Sequence, residues 1–388
     1  MNVLWITSWY PNKLAPFNGD FIKRHAEAVS LYARVHIIHI VRDEKGLVTK
    51  DRLVEEFQNG NLKETIVYYY IEARRPRFIE KILSVSKFDQ ISKQLVDEEM
   101  SGTDKPDLLQ VYIGMKAGLA GIYAKKKYNI DYIVAEQWTG LLYEAKDNFE
   151  NQSLPIKSKW GQVIRNAATP VAVSSWLAEA IKKRFGVPSC IIIPNVVDTS
   201  IFIPVNREPE QKTRFIHIST FDEFKNPELI LQAFARFIKK NTNAELKIFT
   251  TVTESLLKRI KDLGIEKSVI CYAEVPQHEL VKHIQQAHAL ILYSAYETFG
   301  CVIIEANACG VPVIGSDIPV MRELITDGQN GVLAAPGNVD SLEEAMERYV
   351  AMKDSFDRHE IARRTAEKYN YLVIGRQFFN LYQQVINR

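Results

Sequence analysis

Two carboxylates that could do chemistry, Glu297 and Glu305, stand eight positions apart. Glu297 follows the apolar run 289–293, which predicts a loop at the end of a buried strand. Glu305 lies among apolar and small residues that predict a helix ending near Gly310. A buried carboxylate in such a helix requires hydrogen-bond donors, and sugar hydroxyls are donors of this kind. The pair therefore predicts a site for a hydroxyl-rich ligand.

The residues between the two carboxylates suit a phosphate group. Phe299, Gly300 and Cys301 stand where the predicted loop becomes a helix. Glycine lets the backbone approach a ligand closely, and the N–H groups and dipole at the start of a helix favour negative charge. We therefore expect the backbone here to receive a phosphate or diphosphate, in a strand–loop–helix–strand unit that binds its ligand where the strand ends.

Composition limits the class of protein. The chain has 388 residues, of which 46% are hydrophobic and 25% charged, which predicts a globular protein of two domains. Its net charge of +2 provides no general attraction for nucleic acid. The four cysteines form no C-x-x-C pair, and the N-terminus lacks the pattern of a signal peptide. No apolar run approaches the roughly 18 residues of a membrane-spanning helix. These features predict a cytoplasmic protein.

The order of apolar runs predicts two similar halves. Short strands alternate with amphipathic helices, which predicts parallel sheets covered by helices on both faces. The pattern restarts after about Asp198, and a helical, aromatic segment fills 355–388. We therefore expect two doubly wound domains at 1–197 and 198–365 and a final helix at 366–388. The predicted strands are 3–7, 35–40, 66–71, 108–112, 132–135, 171–173, 215–219, 246–249, 269–272, 289–293 and 313–314.

Taken together, these residues resemble a known family. Glu297 and Glu305 match the E-x7-E motif of the retaining GT-B glycosyltransferases of family GT4. Further matches, in the order shown by that family, extend over nearly the whole chain. They are Phe299-Gly300, Gly310-Val311-Pro312-Val313, Asp327-Gly328-Gln329-Asn330-Gly331, the interdomain segment Ile193-Pro194-Asn195-Val196-Val197-Asp198, and Ser8-Trp9-Tyr10-Pro11 with Gly19.

The resemblance implies a fold and an activity. The fold would be α/β, specifically GT-B, with two Rossmann-like domains facing a central cleft and a C-terminal helix crossing back to the first domain. The activity would be sugar transfer from a nucleoside-diphosphate sugar, with UDP or GDP as the nucleotide, and with retention at the anomeric carbon. The acceptor would be a glycan, a lipid-linked sugar or a small molecule, in polysaccharide or glycoconjugate biosynthesis.

The resemblance also implies roles for single residues. Glu305 would hold the ribose hydroxyls and Glu297 the donor sugar. Lys225, which follows the predicted strand 215–219, would neutralise the leaving diphosphate. Alternatively, Lys225 is a solvated lysine before a helix. Gly19 either lies against the donor phosphates or belongs to an ordinary helix start.

Two positions depart from the family pattern. Thr220 stands where the family usually has an arginine that contacts the diphosphate, and Gln137 stands where many relatives have a histidine at the donor sugar. Both are kept as donor-binding candidates. The departures leave a second function open, that of a catalytically impaired homologue that binds a sugar nucleotide and supports a partner enzyme. Trp138 could stack on an acceptor sugar or simply pack.

The sequence predicts neither a metal nor a bound cofactor. No D-x-D motif occurs, and the spacing of the histidines aligns no set of ligands on one face of a helix or strand. The segment 74–83 mixes cations with apolar side chains, which fits either peripheral contact with the inner face of a membrane or a solvated surface.

Overall fold

The computed structural model describes residues 1–48, 52–71, 77–206 and 212–388, without the side chains of 77, 78 and 81. The chain forms two compact units. Unit 1 comprises Met1–Val196 and Tyr371–Arg388, and unit 2 comprises Val197–Asn370. The chain passes from unit 1 to unit 2 after Val196 and returns to unit 1 after Asn370. Asn370 lies four residues beyond 366, where the final segment was expected to start.

Unit 1 contains a mostly parallel sheet. The strand order among the described residues is β3-β4-β2-β1-β5-β6-β7-β8, and only β3 and β4 pair antiparallel. The order reverses direction between β1 and β5, as in doubly wound folds. The strands are β1 Asn2–Thr7, β2 Arg34–Arg42, β3 Arg52–Asn59, β4 Leu62–Tyr69, β5 Leu108–Tyr112, β6 Tyr132–Glu136, β7 Thr169–Ala172 and β8 Ile191–Ile192.

Helices cover this sheet, and the last helix of the chain is one of them. Its buried residues, among them Phe378 and Tyr382, join one hydrophobic core with Trp5 of β1 and Ile22 of the first helix. The predicted return of the C-terminal helix to the first domain is therefore confirmed. The helices are α1 Asp20–Ser30, α2 Arg77–Ser101, α3 Gly118–Tyr128, α4 Leu154–Asn166, α5 Ser175–Phe185 and, at the end of the chain, α13 Tyr371–Ile386.

Unit 2 contains a fully parallel sheet within its described residues. Its order, β11-β10-β9-β12-β13-β14, is the 3-2-1-4-5-6 order of a Rossmann fold. The apolar runs that predicted most of these strands are buried on both faces, as parallel strands require. The strands are β9 Thr213–Ile218, β10 Ala244–Phe249, β11 Val269–Tyr272, β12 Ala289–Leu292, β13 Val313–Ser316 and β14 Gly331–Ala334.

The helices of unit 2 contribute a separate hydrophobic core, which includes Phe234, Ile260 and Met346 with Phe215 of β9. They are α6 Pro227–Lys240, α7 Glu254–Asp262, α8 Gln277–Gln286, α9 Cys301–Ala308, α10 Pro319–Leu324, α11 Val339–Met352 and α12 Arg358–Tyr369. The predicted α/β class with two Rossmann-like domains is confirmed.

The structure also corrects the secondary structure predicted from the sequence at several places. The helical segment 355–388 is two helices, because Asn370 is extended (ψ 164°) and its side chain donates to the Ala366 carbonyl, which ends α12. The strands β3, β8 and β14 and the 25-residue helix α2 were not predicted. Of the segment 74–83, residues 74–76 lie outside the described residues.

Candidate functional site

The candidate residues of unit 2 gather where β9 and β12 lie side by side. These strands pair in parallel, with Ala289 opposite Phe215. The chain leaves β9 toward β10 on one side and leaves β12 toward β13 on the other, so the strand order reverses here. In doubly wound sheets the loops at such a switch point part and leave a crevice at the carboxyl ends of the strands. The loops after β9 and β12 carry Lys225 and Glu297.

Lys225 and Glu297 form an ion pair between Nζ and Oε2. Their side chains are only 14% and 9% exposed, so Lys225 is not a solvated lysine. The Ser294 hydroxyl donates to the same carboxylate oxygen at 3.5 Å, and Lys225 Nζ lies 4.9 Å from the centre of the Phe224 ring. Because the pair is largely shielded from water, its attraction is stronger than that of a surface pair.

Other contacts join the two loops firmly. The Ala295 N–H donates to the Phe224 carbonyl at 2.7 Å, and Asn226 Nδ2 donates to the Tyr293 carbonyl at 2.9 Å. The Phe224 and Tyr296 rings stack with their centres 4.9 Å apart. The sequence analysis did not find these contacts, because they join positions about 70 residues apart.

The loop after β12 ends in the N-terminus of α9. Gly300 is the residue before the helix and has a left-handed backbone (φ 94°), which glycine adopts without strain. Cys301 is the first helical residue, as expected. Phe299 is 3% exposed, and its ring packs edge-on against Tyr369 at 6.0 Å. The structure thus places Phe299, Gly300 and Cys301 at a helix start that favours an anion.

Glu305 lies on α9 and is 3% exposed. Gln277, at the start of α8, places Nε2 3.5 Å from Glu305 Oε1. The position of Glu305 satisfies the sequence-based requirement that a buried carboxylate have hydrogen-bond donors nearby. Nothing in the sequence linked Gln277 to this site. The role of Glu305 in binding a ligand remains a prediction, and so do the roles of the other candidate residues.

Thr220 follows β9 and is exposed. Its hydroxyl donates to Asp222 Oδ2 at 2.6 Å, so the residue at the expected arginine position engages an acidic neighbour.

In unit 1, Gly19 directly precedes α1 and has φ 70°. A Cβ atom at this position would lie 2.8 Å from the backbone carbon of Trp9 and from the nitrogen of Tyr10. The positive φ and the close approach of the Trp9–Tyr10 backbone both favour glycine here, whether or not the loop binds a ligand.

Gln137 follows β6 and is 5% exposed. Its Oε1 accepts a hydrogen bond from Asn195 Nδ2 at 3.0 Å, an arrangement that directs the Gln137 amide group. Trp138 stacks on Trp160 with ring centres 5.0 Å apart, which favours packing over an acceptor contact.

Glu136 is a buried carboxyl that the sequence analysis did not single out. It is fully shielded from solvent, and its Oε1 accepts hydrogen bonds from the Gly114 N–H at 2.8 Å and from Trp160 Nε1 at 3.1 Å. Burial raises the pKa of Glu136 to about 7, although these hydrogen bonds oppose the shift.

In the described parts of the chain, no three His, Cys, Asp or Glu side chains are arranged to hold a metal ion. None of the described helices has both the length and the apolar character needed to cross a membrane.

Comparison with known proteins gives consistent results. Residues 198–369 match the sequence model of the family described as glycosyl transferases group 1. A D-inositol 3-phosphate glycosyltransferase from Frankia alni is 30% identical over 131 residues, which is 31% of this chain and 32% of that protein. The chain thus aligns with about a third of that relative's length.

Similarity to solved structures extends over the whole chain. Sucrose-phosphate synthase from Thermosynechococcus elongatus superposes with a TM-score of 0.76 at 16% identity and covers 100% of this chain and 99% of its own. Anabaena HepE, solved in complex with UDP and glucose, gives a TM-score of 0.73 at 16% identity, and the match covers 99% of this chain and 100% of HepE. The chain therefore has the GT-B fold, and its residues 198–369 are similar to the family of glycosyl transferases group 1.

Proposed function

We propose that the chain is a glycosyltransferase that moves a sugar from a nucleoside-diphosphate sugar to an acceptor with retention of anomeric configuration. The observation that carries the proposal is the buried Glu305, which shares one switch point with the Lys225–Glu297 pair and the start of α9. This constellation lies in the unit that matches the glycosyltransferase family. It offers a carboxylate for ribose, a cation and helix N–H groups for diphosphate, and a second carboxylate for the sugar.

The proposed mechanism stabilises the leaving group. Negative charge grows on the diphosphate as the bond to the sugar breaks, and fixed donors aimed at that charge lower the barrier. The start of α9 and the Lys225 ammonium provide such donors. When a diphosphate attracts Lys225, Glu297 is released to accept hydrogen bonds from sugar hydroxyls. Loss of one such electrostatic donor reduces rates by roughly 10²–10³ in comparable sites.

Donor and acceptor are proposed at the level of chemical class. The donor nucleotide is UDP or GDP, and the presence of UDP and glucose in the Anabaena neighbour supports UDP. The acceptor is a glycan, a lipid-linked sugar or a small molecule, in polysaccharide or glycoconjugate synthesis in the cytoplasm. We propose that no metal or other cofactor takes part.

A second candidate function is that of an impaired homologue that binds a sugar nucleotide for a partner enzyme. The hydrogen bond between Thr220 and Asp222 favours it, because it places a neutral hydroxyl and an acid where the family usually has a cation. This candidate predicts nucleotide binding without transfer, whereas the transferase predicts both.

Calorimetry with UDP, GDP and ADP in the absence of metal tests both candidates. We expect selective binding of one nucleotide and a loss of about tenfold to a hundredfold in Glu305→Gln, because a hydrogen bond to a charged group is removed. Glu343→Gln is the matched control, since Glu343 of α11 is a buried carboxylate of unit 2 that pairs with Lys240 of α6. Absence of binding by the wild type would eliminate both functions. Binding without turnover over a panel of acceptors would favour the impaired homologue.

Peripheral membrane contact is proposed for the start of α2. Ile79, Ile82 and Val85 are 38%, 53% and 37% exposed there, and farther along the helix the exposed positions become polar. In the sequence, Arg74, Arg75 and Arg77 precede them, so apolar and cationic residues are neighbours. We expect cosedimentation with phosphatidylglycerol vesicles that Ile82→Glu abolishes and Gln90→Glu, on the exposed side of the same helix, retains. Equal behaviour of the two variants would refute the contact.

A further inference from the structure

The loop between β9 and the 3-10 turn Glu223–Lys225 contains an unusual backbone. Phe221 has φ 60° and Asn226 has φ 52°, so two non-glycine residues in the left-handed region flank the turn that carries Lys225. Bulky residues adopt this conformation only where surrounding contacts enforce it, and such strain is concentrated at functional sites.

A directed chain of hydrogen bonds ends at Phe221. His217 Nδ1 lies 2.8 Å from the Ile291 carbonyl oxygen, which can only accept, so Nδ1 carries the proton. Burial lowers the pKa of His217 to about 4, so the ring is neutral and Nε2 is an acceptor. The Ser219 hydroxyl, 2.8 Å from Nε2, therefore donates to it. The same hydroxyl oxygen accepts the Phe221 N–H at 3.1 Å.

Both ends of this chain are anchored at the switch point. Ile291 belongs to β12, so His217 ties its own strand β9 to the neighbouring strand. The His217 and Phe221 rings also pack at 5.4 Å. Beyond Phe221, the Asp222 carbonyl accepts the Lys225 N–H at 2.8 Å, which closes the turn. The Ser219 hydroxyl, six residues before Lys225, is thus one of the groups that hold this loop.

We propose that Ser219 and His217 are positioning residues, which hold the loop 219–225 in the conformation that brings Lys225 to Glu297. Neither residue contacts the reacting atoms in this proposal; both act through Lys225. The kinetic consequence rests on the proposed transferase function, whereas the structural consequence does not. Nucleotide affinity is expected to depend mainly on Glu305, which lies on a different loop and helix.

Two measurements on Ser219→Ala and Ser219→Thr test this inference. The first is amide hydrogen exchange over residues 219–226, where we expect about fivefold to tenfold faster exchange in Ser219→Ala, the effect of losing one hydrogen bond of ordinary strength. The second is donor turnover, where we expect kcat to fall by a similar factor with KM within twofold. Threonine keeps the hydroxyl and should restore both values.

Ser341→Ala is the control, because the Ser341 hydroxyl also accepts a backbone N–H, from Ala335 at 2.8 Å, outside this loop. Wild-type exchange in Ser219→Ala, or an equal loss of kcat in Ser219→Ala and Ser341→Ala, would overturn the inference. If the wild type transfers no sugar at all, the proposed function fails, and the exchange measurement alone decides the role of Ser219.

Discussion

Lys225 Nζ and Glu297 Oε2 form an ion pair within unit 2, although 72 positions separate them in the chain. One residue follows β9 and the other follows β12, and the pair exists because the sheet order makes those strands neighbours. Each charge therefore compensates the other in a place with little access to water.

The first prediction concerns stability. Lys225→Ala or Glu297→Gln leaves one charged group poorly solvated, so each should lower the free energy of unfolding by about 3 kcal/mol, the low end for a buried pair. The double variant should lose clearly less than the sum, because no unpaired charge remains. Urea denaturation of all four proteins measures the coupling. Additive losses would mean that the two side chains do not interact in solution.

The second prediction concerns nucleotide binding. Lys225 cannot contact a diphosphate fully while it contacts Glu297, so the carboxylate competes with the ligand. Glu297→Gln should therefore bind the free nucleoside diphosphate about threefold to tenfold more tightly, a gain of about 1 kcal/mol. Lys225→Ala should bind it more weakly. Calorimetry with the nucleotide selected by the wild type checks both signs, and weaker binding by Glu297→Gln would contradict the competition.

Much of the fold could be predicted from local sequence pattern. Strands β9, β10, β12 and β13 lie inside a parallel sheet, so their apolar runs are mostly buried and easily found. By contrast, β3 is an exposed edge strand containing Glu55, Glu56 and Gln58, and it has no apolar run to reveal it. At the break between α12 and α13 the Asn370 side chain bonds to the Ala366 carbonyl, a contact that a helical pattern does not encode.

The candidate site could be predicted only in part, for a similar reason. The spacing of Glu297 and Glu305 is local, and family resemblance identified both. The partners of these residues are not local. Gln277 reaches Glu305 across 28 positions. Ser219 bonds directly to the Phe221 N–H, and its hydroxyl is oriented by a histidine that bonds to another strand. Such contacts follow from strand order and from backbone strain, neither of which is visible in composition or periodicity.

The third prediction concerns Gly19, which either lies against the donor phosphates or belongs to an ordinary helix start. Gly19→Ala should lose more stability than Gly186→Ala, although both glycines have a similar positive φ, 70° and 66°. The added methyl group would meet backbone atoms at 2.8 Å at position 19 and nothing within 4 Å at position 186. We expect an additional loss of about 1–3 kcal/mol, typical of overpacking, by urea denaturation. Equal losses would indicate that the loop adapts and that glycine there has another purpose.

The last prediction concerns the buried Glu136, whose pKa is raised to about 7. The folded protein binds this proton more tightly than the unfolded chain does, so unfolding releases it at intermediate pH. The contribution of Glu136 to stability is therefore fully present below about pH 4.5 and is lost as the pH rises through about 7. Since the pKa is about 7 in the folded protein and ordinarily 4.5, the loss amounts to about 3 kcal/mol.

Glu136→Gln removes this titration and keeps an acceptor oxygen for Gly114 and Trp160. The difference in unfolding free energy, variant minus wild type, should therefore rise between pH 5 and pH 8. Denaturation curves at several pH values measure that slope directly. Burial lowers the pKa values of His25, His39 and His217 to about 4. These histidines affect the unfolding free energy mainly below pH 6.5, equally in both proteins, so their contributions cancel in the difference. A flat difference would show that Glu136 keeps an ordinary pKa and that water reaches its carboxylate.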